Sequence, residues 1–115
     1  MKLLLAVIQP TKLQAVREAL AQIGVQRMTV CDAQGYGRQR GQVATYRGIE
    51  YQVHMLRKIS VEIWVNDDFV ERTVEVLSRV SKTGSRGQIG DGKIFILATE
   101  EAFAIESGVR GPGAV

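Results

Sequence analysis

The chain has 115 residues, enough for one compact domain with its own core and too few for two. Its 45% hydrophobic and 23% charged residues are those of an ordinary globular protein, and a net charge of +3 suits phosphate or another anionic partner as readily as a solvated basic loop. A lone cysteine, Cys31, excludes an intramolecular disulfide, offers no metal-ligand spacing and is expected as a small buried thiol in a reducing compartment.

The start, Met1-Lys2-Leu3-Leu4-Leu5-Ala6-Val7-Ile8, imitates a signal peptide, but the apolar run stops at Gln9-Pro10 and an amphipathic helix follows. Residues 3–8 are therefore expected as a strand covered on both faces. No stretch approaches the ~20 apolar residues of a membrane span, so the protein is expected in the cytoplasm with no direct membrane insertion. Thr11 stands at an N-cap position, Leu13, Val16, Leu20 and Ile23 recur at helical spacing, and Gly24 stands where a glycine closes a helix. Residues 28–36 read as the next strand.

After that strand comes a polar stretch of about twenty residues, 37–55, far too long for an ordinary turn; a structureless insertion of that length is usually functional. It carries Arg38, Gln39, Arg40 and the run Tyr46-Arg47-Gly48-Ile49-Glu50-Tyr51. Residues 59–65 then alternate Ile59, Val61, Ile63 and Val65 with Ser60, Glu62 and Trp64, a period-two strand. Asn66, Asp67 or Asp68 is placed to cap a second helix with a buried stripe of Val70, Val74, Leu77 and Val80. A glycine-rich loop, 84–92, leads into a last strand at 93–97, and the glycine-rich tail, 107–115, is expected to be flexible.

Strand, helix, strand repeated twice is the α+β, ferredoxin-like βαββαβ plan. Right-handed crossovers put both helices on one face of the sheet, leaving the other face to be covered by a homo-oligomer.

The most specific chemical signal is Gly87-Gln88-Ile89-Gly90-Asp91-Gly92-Lys93, with the GxxxxGK spacing of a phosphate loop. Ile94 replaces the magnesium-binding Ser or Thr and the segment enters a strand, so NTPase chemistry does not follow. Glycine amides and the Lys93 cation still suit an anion, against the plainer reading of a glycine turn. His54 has no nucleophile or acidic partner in sequence, and no catalytic or metal motif stands out, so an enzyme is the weaker reading. Trp64 is a single aromatic on its strand, which points to a packed tryptophan and away from nucleic-acid binding.

These motifs together resemble the PII nitrogen-regulatory signal-transduction family, trimeric sensors of ferredoxin-like fold. The resemblance rests on Val16-Arg17-Glu18-Ala19-Leu20, Met28-Thr29-Val30, Gly35-Tyr36-Gly37-Arg38-Gln39-Arg40-Gly41, Tyr46-Arg47-Gly48-Ile49-Glu50-Tyr51, Leu56-Arg57-Lys58 and Ile89-Gly90-Asp91-Gly92-Lys93-Ile94-Phe95, in family order over nearly all of residues 1–115. It implies a homotrimer without enzymatic activity, with a T-loop at 37–55 and a phosphate loop at 84–93. By the same resemblance, adenine nucleotide (ATP or ADP) binds in clefts between subunits. Phosphates lie against Gln88, Ile89, Gly90, Asp91, Gly92 and Lys93 and against Gly35, Gly37, Arg38 and Gln39 at the T-loop base, these two regions meeting across a protomer boundary. Thr29, Glu62 and Trp64 line the nucleoside, Gln39 and Lys58 hold 2-oxoglutarate, and Gln39 ligates magnesium on ATP. Tyr51 matches the uridylylated position. Arg47 and Tyr51 are expected to touch targets such as an ammonium transporter or a nitrogen-regulatory enzyme; no nucleic-acid partner is implied.

Two departures bear on that expectation. Ser85-Arg86-Gly87-Gln88 stand where the family typically has one residue, and Ala104 and Glu106 align with an Arg-x-Arg pair that holds phosphates. Losing two charge-assisted hydrogen bonds costs about 3 to 6 kcal/mol, about a hundred- to ten-thousandfold in affinity. Arg27, Arg86 and Arg110 are the candidate replacements. The alternative is a diverged PII-like paralogue that senses ADP, AMP or another small anion without the usual ATP and 2-oxoglutarate response.

Overall fold

The computed structural model describes residues 1–35, 43–46, 49–52 and 56–115. Strand β1 (Lys2–Ile8) leads through a 3-10 turn (Pro10–Lys12) into helix α1 (Leu13–Gln22), and β2 (Thr29–Gly35) follows. Two short strands, β3 (Val43–Tyr46) and β4 (Ile49–Gln52), pair with each other. Then come β5 (Leu56–Val65), a second 3-10 turn (Asp67–Phe69), α2 (Val70–Ser81), β6 (Gly92–Ala98) and a last 3-10 turn (Gly111–Ala114). The main sheet has the order β2-β5-β1-β6, every neighbouring pair antiparallel. Two helices on a four-stranded antiparallel sheet fit the ferredoxin-like plan.

Alternation along β1 and β5 decides what is buried. Leu4, Ala6 and Ile8 turn inward beside Ile59, Val61 and Ile63, and Val16 and Leu20 of α1 with Val76 and Leu77 of α2 close over them. On the other face Leu3 stands opposite Trp64 and Leu97, and Leu5 opposite Glu62 and Phe95. Trp64 is 42% exposed, Phe95 48% and Leu97 46%, so this face is apolar and open in the single chain. The packed tryptophan expected from sequence is not part of the core. Cys31 is likewise exposed, because it shares this face on edge strand β2, opposite Ser60.

The ends of the helices differ from the sequence expectation in one respect and agree in another. Neither helix has a side-chain cap bond at its start: each is entered through a 3-10 turn whose backbone supplies the first bonds, and Thr11 lies inside the first of these. Asp67 instead holds the Met1 amino group and Lys2 at 2.9 and 3.0 Å. At the end of α1, Gly24 adopts φ +86°, its amide donates to Ala21, and the Val25 amide donates to Leu20. That is a Schellman closure, with Val25 and Leu20 both buried.

In α2 the buried positions are Val70, Thr73, Val76, Leu77 and Ser81, with Val74 and Val80 only partly covered. Thr73 escapes hydrophobic periodicity because its hydroxyl donates to the Phe69 carbonyl at 2.7 Å, which lets a polar side chain enter the core. The connection read as structureless contains the β3–β4 hairpin. The tail also has defined structure: Phe103 bridges Arg110, the Gly111 amide donates to Ala102, and Asn66 Nδ2 donates to the Pro112 carbonyl at 3.2 Å.

Candidate functional site

Strands β2 and β5 bring the two ends of the long connection together, since Gly35 pairs with Leu56 at the edge of the sheet. Two residues further along β5, Lys58 Nζ donates to the Gly90 carbonyl oxygen at 2.6 Å. Gln9 Nε2, just beyond the end of β1, donates to the same oxygen at 2.7 Å. The foot of the connection and the glycine-rich loop therefore meet within one chain, whereas the resemblance implied a meeting across a protomer boundary. Lys58 is buried, and that burial pulls its pKa down while the Asp91 charge pushes the other way.

The loop itself is shaped around Asp91. Its Oδ1 accepts from the Thr83 hydroxyl, and its Oδ2 accepts from the amides of Thr83 and Gln88 at 3.0 and 2.7 Å. Burial raises the pKa of this carboxyl, but the bonds from Thr83 and Gln88 and the Lys12 charge outweigh it, and the net shift is downward. Asp91 thus spends its carboxylate acceptors on the loop. Gly92 is glycine for a packing reason: at φ +125° a Cβ would lie 1.8 Å from the Val7 carbonyl oxygen. Ile89 and Lys93 are exposed, and Gln88 is exposed beside them.

A second group assembles at the far end of β5. Thr29 pairs with Glu62, and both line an open pocket of about 640 Å³ together with Trp64, Arg27, Phe103 and Val115. Aromatic faces, a hydroxyl and a carboxylate acceptor suit a heterocycle carrying donors. Trp64 lies six residues from Lys58 on the same strand, about 20 Å at strand rise. The structure thus brings Thr29, Glu62 and Trp64 together, and separately Lys58 and the loop at Gly90, but not the two sets with each other.

Gly37, Arg38, Gln39, Arg47 and His54 lie outside the described residues. Tyr51 lies on β4, its backbone opposite Ala44. Of the candidate replacement arginines, Arg110 is engaged: its guanidinium lies 5.5 Å over the Phe103 ring, with Nε 3.9 Å from Glu101. Arg27 borders the pocket and Arg86 is exposed on the loop. Gln9 and Thr83 were missed by sequence reasoning. Nothing local marks either one, since each matters only through a partner that folding brings near. Among the described residues no group of three or more His, Cys, Asp or Glu is placed to hold a metal, and no helix is long and apolar enough to cross a membrane.

A four-stranded antiparallel sheet under two helices, with a long connection rooted against a glycine loop, defines a small ferredoxin-like α+β protein. Residues 1–109 match the family described as Nitrogen regulatory protein P-II. The chain is 47% identical over 115 residues to the Nitrogen regulatory protein P-II of Rhodospirillum rubrum, covering 100% of both. It is 48% identical over 108 residues to that of Rhizobium etli, 94% of each chain, and 44% identical over 115 residues to Nitrogen regulatory protein P-II 1 of Escherichia coli, covering 100% of both. The chain belongs to the nitrogen regulatory protein P-II family, whose members are regulatory signal transducers and not enzymes.

Proposed function

We propose that this protein is a PII-type sensor that binds adenine nucleotide, ATP or ADP, together with 2-oxoglutarate, and controls target proteins through the 37–55 loop. The observation that carries this reading is the Lys58–Gly90 bond, which places the glycine loop and an ammonium group at the foot of that loop. A ligand anion held there interacts differently with alternative arrangements of the loop, which is the requirement for coupling binding to target choice. Lys58 supplies a charge for a carboxylate, and amides near Gly90 suit phosphate oxygens. Magnesium would arrive with ATP, ligated by its phosphates and by Gln39.

Along β5 Glu62 lies about 13 Å and Trp64 about 20 Å from Lys58 in the same chain, which favours a ligand that engages both sets where two protomers meet. The open apolar face of Leu3, Trp64, Phe95 and Leu97 favours the same arrangement, a homotrimer packed through its sheets. Target proteins of the kind this family controls, an ammonium transporter or a nitrogen-regulatory enzyme, would be met by Arg47 and Tyr51, and Tyr51 is the site for uridylylation.

One observation favours a narrower reading. Arg110 lies over Phe103 with Nε 3.9 Å from Glu101, and Ala104 and Glu106 offer no cation, so the Arg-x-Arg pair that holds phosphates elsewhere in the family is missing here. On that reading the protein senses ADP, AMP or another small anion. Calorimetry with ATP, ADP and AMP, each with and without 2-oxoglutarate and magnesium, separates the two. Magnesium-dependent synergy between ATP and 2-oxoglutarate supports the first, binding of ADP or AMP alone supports the second, and indifference to all three nucleotides overturns the first and leaves of the second only a different small anion, for which inorganic phosphate is the probe.

A further inference from the structure

Asp91 is where the glycine loop is closed. Its two oxygens collect a hydroxyl and an amide from Thr83, on the near flank of the loop, and the Gln88 amide from the far flank. The Asp91 amide returns a bond to the Gln88 carbonyl at 3.1 Å. A Cβ at Gly87 would lie 3.1 Å from Asp91 Oδ2 and 3.0 Å from Lys82 Cγ, so the middle of the loop folds down onto the carboxylate. On either side of Asp91 the backbone is anchored: the Gly90 carbonyl is held by Gln9 and Lys58, and Gly92 lies against Val7.

From this geometry we infer that Asp91 is the positioning residue of the anion site, and that it acts without touching the anion. A carboxylate facing phosphate would repel it, whereas three of the roughly four acceptor positions of this one are occupied by the loop's own donors. Charge-assisted bonds of this kind are stronger than neutral ones, and they set the direction of the amides between Thr83 and Gly92 before any ligand arrives. Preorganised donors cost a ligand less ordering on binding. The extra residues Ser85, Arg86 and Gly87 lie inside the closed segment, which is how a lengthened loop keeps a defined shape.

The inference rests on the nucleotide reading above, and its test separates the two. Asp91→Asn and Thr83→Val are made singly and together, and ATP and adenosine are titrated against each. Amide exchange across residues 84–90 is measured without ligand. Asp91→Asn is expected to weaken ATP at least tenfold, to leave adenosine within about twofold and to speed exchange at 84–90, with little added by Thr83→Val in the double variant. Unchanged exchange, unchanged ATP affinity or an equal loss for ATP and adenosine overturns the positioning role. If the unaltered protein ignores ATP but binds ADP, ADP replaces ATP in the titrations; if it ignores ATP, ADP and AMP alike, the nucleotide reading falls instead, and exchange at 84–90 alone decides whether Asp91 closes the loop.

Discussion

Lys58 and Gly90, 32 positions apart in sequence, are joined by a 2.6 Å hydrogen bond from a buried ammonium group to a backbone carbonyl. The bond fastens the central region of the sheet to the loop before β6. Lys58→Ala leaves the Gly90 carbonyl with the Gln9 side-chain amide, just beyond the end of β1, as its partner and removes a long apolar stem from a buried place. The expected loss is about 1 to 3 kcal/mol in urea unfolding. In the same variant 2-oxoglutarate is expected to lose its effect on nucleotide binding, which calorimetry checks.

Acid should expose the Asp91 clamp. Its pKa is lowered in the folded chain, so the native state holds fewer protons than the unfolded one as pH falls through about 4. The clamp's contribution is therefore complete above that pH and disappears as pH drops through the folded value. Asp67 is lowered too, first by its bond from the N-terminal amino group and then by Lys2. That shift is common to the protein and to its Asp91→Asn variant and cancels in their difference. The stability gap between the two is expected to be constant from pH 7 to 5 and to narrow towards pH 3, read by urea unfolding at each pH.

Two glycines with positive φ should respond very differently to alanine. At Gly92 a Cβ meets the Val7 carbonyl at 1.8 Å and the backbone of β1 must give way, for a cost of about 2 to 6 kcal/mol. At Gly24 nothing lies within 4 Å, and only the left-handed conformation is penalised, about 1 to 2 kcal/mol. Thermal melting of Gly92→Ala and Gly24→Ala should show the larger drop for the first. Equal drops would mean that β1 and β6 are not packed as closely as here.

The proposed trimer is expected to depend on the open face. Leu97→Asp places a charge opposite Leu3 on a side chain already 46% exposed in the single chain. The variant is expected to keep its fold by circular dichroism but to sediment as one chain, while the unaltered protein sediments near three times 12.7 kDa. An unaltered protein that sediments as a single chain would remove the trimer and, with it, the two-protomer cleft.

Residues whose meaning is local were legible in the sequence. The element order, the α1 stripe of Val16 and Leu20 and the Gly24 closure follow from periods of two or 3.6 and from one glycine, because those constraints act within a few residues of chain. Local pattern also identified the glycine loop, but as a set of ligand contacts. It did not distinguish Gly92, required by Val7, or Asp91, turned to Thr83 and Gln88, from positions facing a ligand. Likewise Cys31 and Trp64 read as core residues, since strand alternation gives two faces and only packing of the helices decides which one is covered.

Sequence by itself determined the order of the elements and the residue types of the glycine loop: periodicity and glycine placement are properties of neighbouring residues. Tertiary structure decided that Gln9, Lys58 and Gly90 converge, that Asp91 closes the loop, and that Thr29, Glu62 and Trp64 gather at one pocket further along β5. Those relations join residues far apart in the chain, and only the register of β1, β5 and β6 sets the distance between them.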